Sequence, residues 1–251
     1  MGSASIRLFC IPYAGGSASL YNDWVVSAPD WLQVCSVELP GRGRLGAESL
    51  PTSLIELAQT ISSAVYPYTD KPYAIFGHSM GALLAYEVAS QLESLGRNQL
   101  CRLFVSGCGA PFIPRKKPPV SHLPDTELLD HLRAMQGTPE EILAHPELID
   151  LLLPVLRSDF AICEEYRLFR VHVLQAALTA LSGERDEDIS ESDTQLWKRL
   201  TRGDFRSLTF PGGHFFLKES ENDVLSAVWK ELERHHQLDA IGVTQSVKKT
   251  M

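Results

Sequence analysis

Short apolar, β-branched or aromatic runs alternate along this chain with longer stretches of helical period. Residues 6–11, 33–39, 73–76, 100–106, 171–181 and 207–210 are runs of the first kind, and each reads as a strand. Residues 52–66, 80–95 and 219–236 carry the helical period. Thr52 is the expected N-cap of the first helix, with Glu56 near its first turn and Pro67 just past its end. Strand and helix in alternation predict a parallel sheet joined by crossover helices, an α/β architecture. No internal repeat is visible.

One segment departs from the alternation. From residue 111 to about 169 no good strand pattern occurs, and Pro114-Arg115-Lys116-Lys117-Pro118-Pro119 leads into helical stretches punctuated by Pro124, Gly137, Pro139, Pro146 and Pro154. A helical insertion between two strands of such a sheet is the usual form of a lid over an active site. A plain helical subdomain without a gating role is the alternative. Residues 1–238 thus read as a single domain with a lid at about 111–169, and the polar, aperiodic residues 239–251 as a disordered tail.

Composition narrows the class. A chain of 251 residues can bury a sizeable core without disulfide or metal staples. With 44% hydrophobic and 22% charged residues it is ordinary for a soluble globular protein, which excludes disordered, collagen-like and low-complexity chains. A net charge of −8 argues against indiscriminate nucleic-acid binding, which relies on Lys and Arg displacing counterions. The five cysteines, Cys10, Cys35, Cys101, Cys108 and Cys163, form no C-x-x-C pair and read as reduced thiols of a cytoplasmic protein. No apolar run approaches the ~18 residues of a membrane helix. Pro12 and Gly15-Gly16 break up the short apolar stretch near the start, against a signal peptide.

Gly77-His78-Ser79-Met80-Gly81 is a G-x-S-x-G sequence placed between the strand ending at Phe76 and the helix beginning near Met80. That context is what a nucleophile elbow requires: flanking glycines let backbone approach closely while a strained turn exposes the serine hydroxyl. A serine is a weak nucleophile at neutral pH, so a base and an orienting acid should follow in the order Ser, Asp, His. His214, in Pro211-Gly212-Gly213-His214-Phe215-Phe216 after the last strand, is the best base. Asp186, one turn beyond the end of the fifth strand, is the best acid, ahead of Asp188 and then Asp204. An oxyanion would be held by the backbone N–H of Met80 and that of Ala14 in the Gly-rich loop after the first strand.

The other histidines compete less well. His78 adjoins the nucleophile, but the elbow should turn it away into packing. His172 reads as a satisfied core residue, His122, His131 and His145 fall in the lid, and His235 and His236 end the last helix. Without a phosphate loop or a metal-ligand cluster in the sequence, no cofactor or metal is expected.

Six segments taken in order resemble the type II thioesterases of nonribosomal peptide and polyketide synthesis. They are Pro12-Tyr13-Ala14-Gly15-Gly16, Glu38-Leu39-Pro40-Gly41-Arg42-Gly43, Gly77-His78-Ser79-Met80-Gly81-Ala82, Gly137-Thr138-Pro139-Glu140-Glu141, Arg157-Ser158-Asp159-Phe160 and Gly212-Gly213-His214-Phe215-Phe216. The resemblance runs from about residue 6 to 235, and the spacing of Ser79, Asp186 and His214 is similar to that family's. Two departures are small: Ser158 stands where such enzymes often have Ala, and Ala176-Ala177 where they often have Cys-Pro.

The resemblance implies an α/β-hydrolase fold, a mostly parallel central sheet with flanking helices and an inserted helical lid. It implies an enzyme that removes aberrant or stalled acyl groups from the phosphopantetheine thiol of acyl or peptidyl carrier domains, through an acyl-Ser79 intermediate. Such an enzyme would be a cytoplasmic monomer with no nucleic-acid or membrane partner and no cofactor beyond the phosphopantetheine that its substrate carries. A product-releasing thioesterase and a generic small-ester esterase are alternatives within the same chemistry. An inactive hydrolase-fold binding module is the alternative outside it, disfavoured by the full Ser, Asp and His set.

Tyr13, Met135, Phe160 and Phe215 are candidates for the substrate pocket, although helix packing accounts for Met135 and Phe160 equally well. Arg42 either approaches the phosphate of phosphopantetheine or makes an internal ion pair in a structural turn. Arg115-Lys116-Lys117 is either a solvated charge run or a patch that meets an acidic carrier.

Overall fold

The computed structural model describes residues 4–138 and 140–248, the side chains of 142 and 238–248 aside. Six strands, β1 (Ile6–Ile11), β2 (Leu32–Ser36), β3 (Tyr73–His78), β4 (Leu100–Ser106), β5 (Ala177–Gly183) and β6 (Phe205–Phe210), form one sheet in the order β2-β1-β3-β4-β5-β6. Every neighbouring pair is parallel. The helices are α1 (Asn22–Ser27), α2 (Leu54–Val65), α3 (Met80–Ser94), α4 (Asp125–Met135), α5 (Glu140–Leu143), α6 (Pro146–Glu165), α7 (Glu191–Gln195), α8 (Phe216–Glu219) and α9 (Glu221–Lys248).

Side chains alternate between the faces of a strand, so a sheet covered on both faces needs apolar residues at every position. β3 shows the consequence. Tyr73 and Ile75 point into a core shared with α2 and α3, while Ala74 and Phe76 point into a second core closed by Trp24 of α1 and Val224, Val228 and Leu232 of α9. Phe76 packs against Trp24 with ring centroids 4.7 Å apart.

The chain leaves β1 toward β2 on one side and returns to place β3 on the other. Consecutive connections therefore depart in opposite directions at β1/β3, which opens a crevice at the carboxyl ends of these strands. The loop after β1 and the turn after β3 both emerge there.

Most expected elements form, with informative differences at the edges. Ser53, not Thr52, caps α2, accepting a hydrogen bond from the Glu56 N–H at 3.3 Å. The fifth strand begins at Ala177 rather than at 171. Upstream of it, side chains of α3 take the backbone groups a strand partner would need: the Gln175 and Ala176 N–H groups donate to the Glu93 carboxylate, and the Tyr86 hydroxyl bonds the His172 backbone. His172 is accordingly half-buried beside Glu93, with Nε2 3.0 Å from Oε2, rather than in a core strand.

Between β4 and β5 the segment expected to be helical holds α4, α5 and α6, and α6 runs through Pro154 instead of stopping there. Leu153, Val155 and Leu156 around that proline are buried, and their packing offsets the missing backbone bond. α6 is also tied to the root of α4, because the Glu164 carboxylate accepts from the Val120 N–H at 2.7 Å and the Ser121 N–H at 3.2 Å. The last helix continues to Lys248, past its expected end at 236 and into the segment read as a tail. No proline interrupts 237–248, and residues 249–251 lie outside the described ones, as does Pro139 of the Gly137-to-Glu141 motif. Among the described residues no helix is long and apolar enough to cross a membrane.

Phe76→Ala empties space among its aromatic neighbours Tyr21, Trp24 and Phe104 and should cost about 3–5 kcal/mol of stability, read from urea unfolding.

Candidate active site

Ser79 connects β3 to α3 with φ 55° and ψ −116°, a backbone conformation that costs a non-glycine residue of order 1–3 kcal/mol. Its neighbours explain how the turn is held. A Cβ on Gly77 would lie 1.9 Å from the Gly81 carbonyl oxygen, and one on Gly81 would lie 2.4 Å from that of Ile11. The turn is thus wedged against the end of β1, with the Ser79 N–H donating to the Ser106 carbonyl of β4 at 2.8 Å. G-x-S-x-G is the sequence trace of these two close approaches.

The partners arrive from β5 and β6. His214 Nε2 lies 3.1 Å from Ser79 Oγ, and His214 Nδ1 lies 2.8 Å from Asp186 Oδ2. A carboxylate only accepts, so Nδ1 carries the proton and Nε2 is left to accept from the serine hydroxyl. The Asp188 and Ile189 N–H groups donate to Asp186 Oδ1 at 2.9 and 3.3 Å, which aims the other oxygen at His214. Asp188 itself pairs with Lys117, and Asp204 pairs with Arg102 and Arg206, so neither alternative acid meets His214. Burial pushes the Asp186 carboxyl up, but the hydrogen bond and charge of His214, together with the two backbone donors, outweigh it and hold the group below its ordinary value.

His78 is fully buried beside this relay. Its Nδ1 is 2.8 Å from Ser106 Oγ, and its ring packs 5.3 Å from that of His214. Burial, then the nearby charges of His214 and Lys218, lower its pKa well below the usual histidine value, so it stays a neutral packing residue. That matches the side chain's expected turn away from the nucleophile.

The two expected backbone donors lie at the start of α3 and in the loop after β1, which meet where Gly81 abuts Ile11 and Pro12. Met80 heads α3, where the first N–H groups have no intrahelical acceptor and the helix presents its positive dipole end. Ala14 lies in a tight turn closed by the Gly16 N–H donating to the Tyr13 carbonyl at 2.9 Å, with Gly15 at φ 76°.

Of the pocket candidates, Tyr13 and Phe215 pack edge to face at 5.0 Å, and Phe215 is 5.1 Å from the His214 ring. Phe215 also meets the inserted segment, because a Cβ on Gly137 would lie 2.2 Å from it and Lys218 Nζ donates to the Gly137 carbonyl at 3.1 Å. Met135 is half-buried at the end of α4. Phe160 packs among the inserted helices' own apolar side chains, so helix packing accounts for it. A separate groove of about 740 Å³, lined by Gln59, Ser62, Tyr66, Glu87 and His172 among others, holds none of the expected site residues.

Two motifs change meaning in three dimensions. Arg42 makes the internal ion pair: its NH2 group is 2.8 Å from Asp159 Oδ1 and its NH1 group 2.5 Å from Oδ2, with the two side chains 7% and 0% exposed. Breaking one side of such a pair costs about 3–5 kcal/mol. The run Arg115-Lys116-Lys117 is not freely solvated but pairs with Glu164, Asp193 and Asp188 in turn.

Asp159 is the residue whose place the motif reading missed. It also accepts from the Gly15 N–H at 2.8 Å, linking α6 to the loop after β1. The signal was a carboxylate on the apolar stripe of a helix, three residues after Leu156, which a buried position must pair with a cation.

The chain matches the thioesterase domain family over residues 6–235. The gramicidin S biosynthesis protein GrsT of Aneurinibacillus migulanus is 37% identical over 230 residues, 92% of this chain and 90% of that protein. Thioesterase PikA5 of Streptomyces venezuelae is 34% identical over 227 residues, 90% of this chain and 80% of the relative. The solved type II thioesterase BorB from the borrelidin biosynthetic cluster superposes with a TM-score of 0.84 at 34% identity, covering 92% of this chain and 94% of that one.

Because the Asp186 carboxyl sits below its unfolded value of about 3.9, its stabilising contribution is complete above that pH and is lost as pH falls through the folded value. The stability gap between wild type and Asp186→Asn, read from urea unfolding at pH 6 and pH 3, should therefore shrink in acid. A gap that widens would contradict the sign.

Proposed function

The chain belongs to the thioesterase family, and from that premise we propose that Ser79, His214 and Asp186 hydrolyse acyl thioesters carried on phosphopantetheine. It is a type II thioesterase of nonribosomal peptide and polyketide pathways, with the α/β-hydrolase fold. The observation that carries the catalytic reading is the unbroken relay from Ser79 Oγ through both nitrogens of His214 to Asp186.

Ser79 Oγ attacks the thioester carbonyl carbon while its proton passes to His214 Nε2. The carbonyl oxygen becomes an oxyanion, for which the N–H groups of Met80 and Ala14 are the donors. One such donor supplies about 2.7–4 kcal/mol of transition-state stabilisation. Collapse of the tetrahedral species breaks the C–S bond, and His214 returns the proton to the leaving thiol. A water then gives its proton to His214 and attacks acyl-Ser79, releasing the acid and restoring the serine. Asp186 keeps Nδ1 protonated and stabilises the imidazolium that forms at each half-reaction.

The substrates in this reading are acyl or peptidyl groups on carrier domains, and the task is removal of aberrant or stalled groups from a synthase. The phosphopantetheine comes with the substrate, and the residues named supply the nucleophile, base and oxyanion donors. Tyr13 and Phe215, packed together beside His214, are the aromatic wall where the acyl group would lie. α4, α5 and α6 act as the lid, with Gly137 resting on Phe215. Paired as it is, Arg115-Lys116-Lys117 offers an acidic carrier little free charge.

Hydrolysis of a panel of acyl-phosphopantetheinyl carriers should fall by about 10⁴-fold or more in Ser79→Ala, by a similar order in Asp186→Asn, and less than ten-fold in Asp188→Asn. Unchanged turnover by Ser79→Ala would overturn the nucleophile assignment. Faster turnover of small oxygen esters than of carrier thioesters would make the protein a generic esterase.

A further inference from the structure

The Ala14 N–H is only as well placed as the peptide that carries it. That peptide joins Tyr13 to Ala14, and its other end, the Tyr13 carbonyl, is held by the Gly16 N–H at 2.9 Å. The next peptide carries the Gly15 N–H, held by Asp159 Oδ2 at 2.8 Å. The Gly16 carbonyl in turn accepts from Arg42 NH1 at 3.3 Å. Three backbone groups of this turn are thus fixed, two of them by the buried Arg42–Asp159 pair.

A second contact from the same helix bears on this turn. A Cβ on Gly15 would lie 2.6 Å from Leu156 Cδ2, so the Leu156 side chain closes over the bare Cα of Gly15. Leu156 and Asp159 are one helical turn apart on α6, and together they press on and hold the same residue. Gly15 at φ 76° has no side chain with which to resist either contact.

We propose that Asp159 is a positioning residue for the oxyanion hole: from α6 it holds the Gly15 N–H and thereby sets the direction of the Ala14 N–H. The proposal rests on the reading of Ala14 as an oxyanion donor. A bare carboxylate near a developing oxyanion would repel it, and the two-pronged contact of Arg42 neutralises that charge, while Oδ2 accepts from the Gly15 N–H as well as from Arg42 NH1. The helix that spans the lid thus carries the template for half of the oxyanion hole, and displacing this turn of α6 would loosen the hole.

An alkyl trifluoromethyl ketone tests this, because Ser79 adds to its carbonyl and the resulting oxyanion needs the hole, whereas the corresponding alkyl thioether has no carbonyl to polarise. Asp159→Asn should weaken ketone inhibition by about ten-fold or more while changing thioether affinity less than two-fold, and should lower kcat with KM nearly constant. Glu164→Gln is the control: it removes another buried carboxylate from α6, away from the loop. It should lower the melting temperature and leave the ketone-to-thioether ratio unchanged.

A ratio unchanged in Asp159→Asn, or lowered equally in Glu164→Gln, would overturn the proposal by making Asp159 a structural anchor only. If Asp159→Asn does not fold, Leu156→Ala reads the same turn from its other contact. It should lower the ratio several-fold, and an unchanged ratio there overturns the proposal as well. Failure of the wild-type protein to form a Ser79 adduct with the ketone would instead remove the oxyanion reading on which the proposal stands.

Discussion

Ser79 sits at a backbone angle that its own chemistry disfavours, and much of the molecule is arranged so that it has no alternative. The turn is squeezed between its own next residues and the end of β1, with no room for a side chain at Gly77 or Gly81. β4 holds the Ser79 N–H from the other side. Strain of a few kcal/mol persists only where the surroundings over-determine it, and here the surroundings are β1 and β4 on either side of β3 and the helix that follows the turn. The hydroxyl is exposed to His214 because the backbone cannot relax.

From that fixed point the other parts need only reach the same edge of the sheet. Parallel strands deliver all their carboxyl ends to one side, so the loops after β1, β3, β5 and β6 meet there without long excursions. Gly183 shows how tightly two of these loops are joined, since a Cβ there would lie 2.2 Å from the Gly213 carbonyl oxygen. The acid and base are thus held by mutual packing of their loops as well as by the bond between Asp186 and His214. The inserted helices close the arrangement over Phe215 and Gly15.

The parts legible in the sequence were those with a local signature. Strand and helix alternation marks the sheet, and G-x-S-x-G between a strand and a helix marks the elbow. Asp186 was separable from Asp188 only by its place after the strand and by family spacing; the physical reason, two backbone N–H donors turning Asp186 toward His214, is invisible in one dimension. Residues 171–176 have the apolar character of a strand, but the Gln175 and Ala176 N–H groups go to Glu93 and that of His172 to Tyr86, tertiary contacts that propensity does not register. The Arg42–Asp159 pair spans 117 positions in sequence, and Pro154 reads as a breaker unless the packing around it is known.

In the proposed reaction the strained serine becomes covalently acylated. Intact-protein and peptide mass spectrometry after rapid mixing with an acyl-phosphopantetheinyl carrier tests it most directly. A transient mass increase of one acyl group, confined to the peptide that contains Ser79, is expected before steady-state release of acid. Turnover without any acyl-protein species, or with the acyl group on another residue, would contradict it.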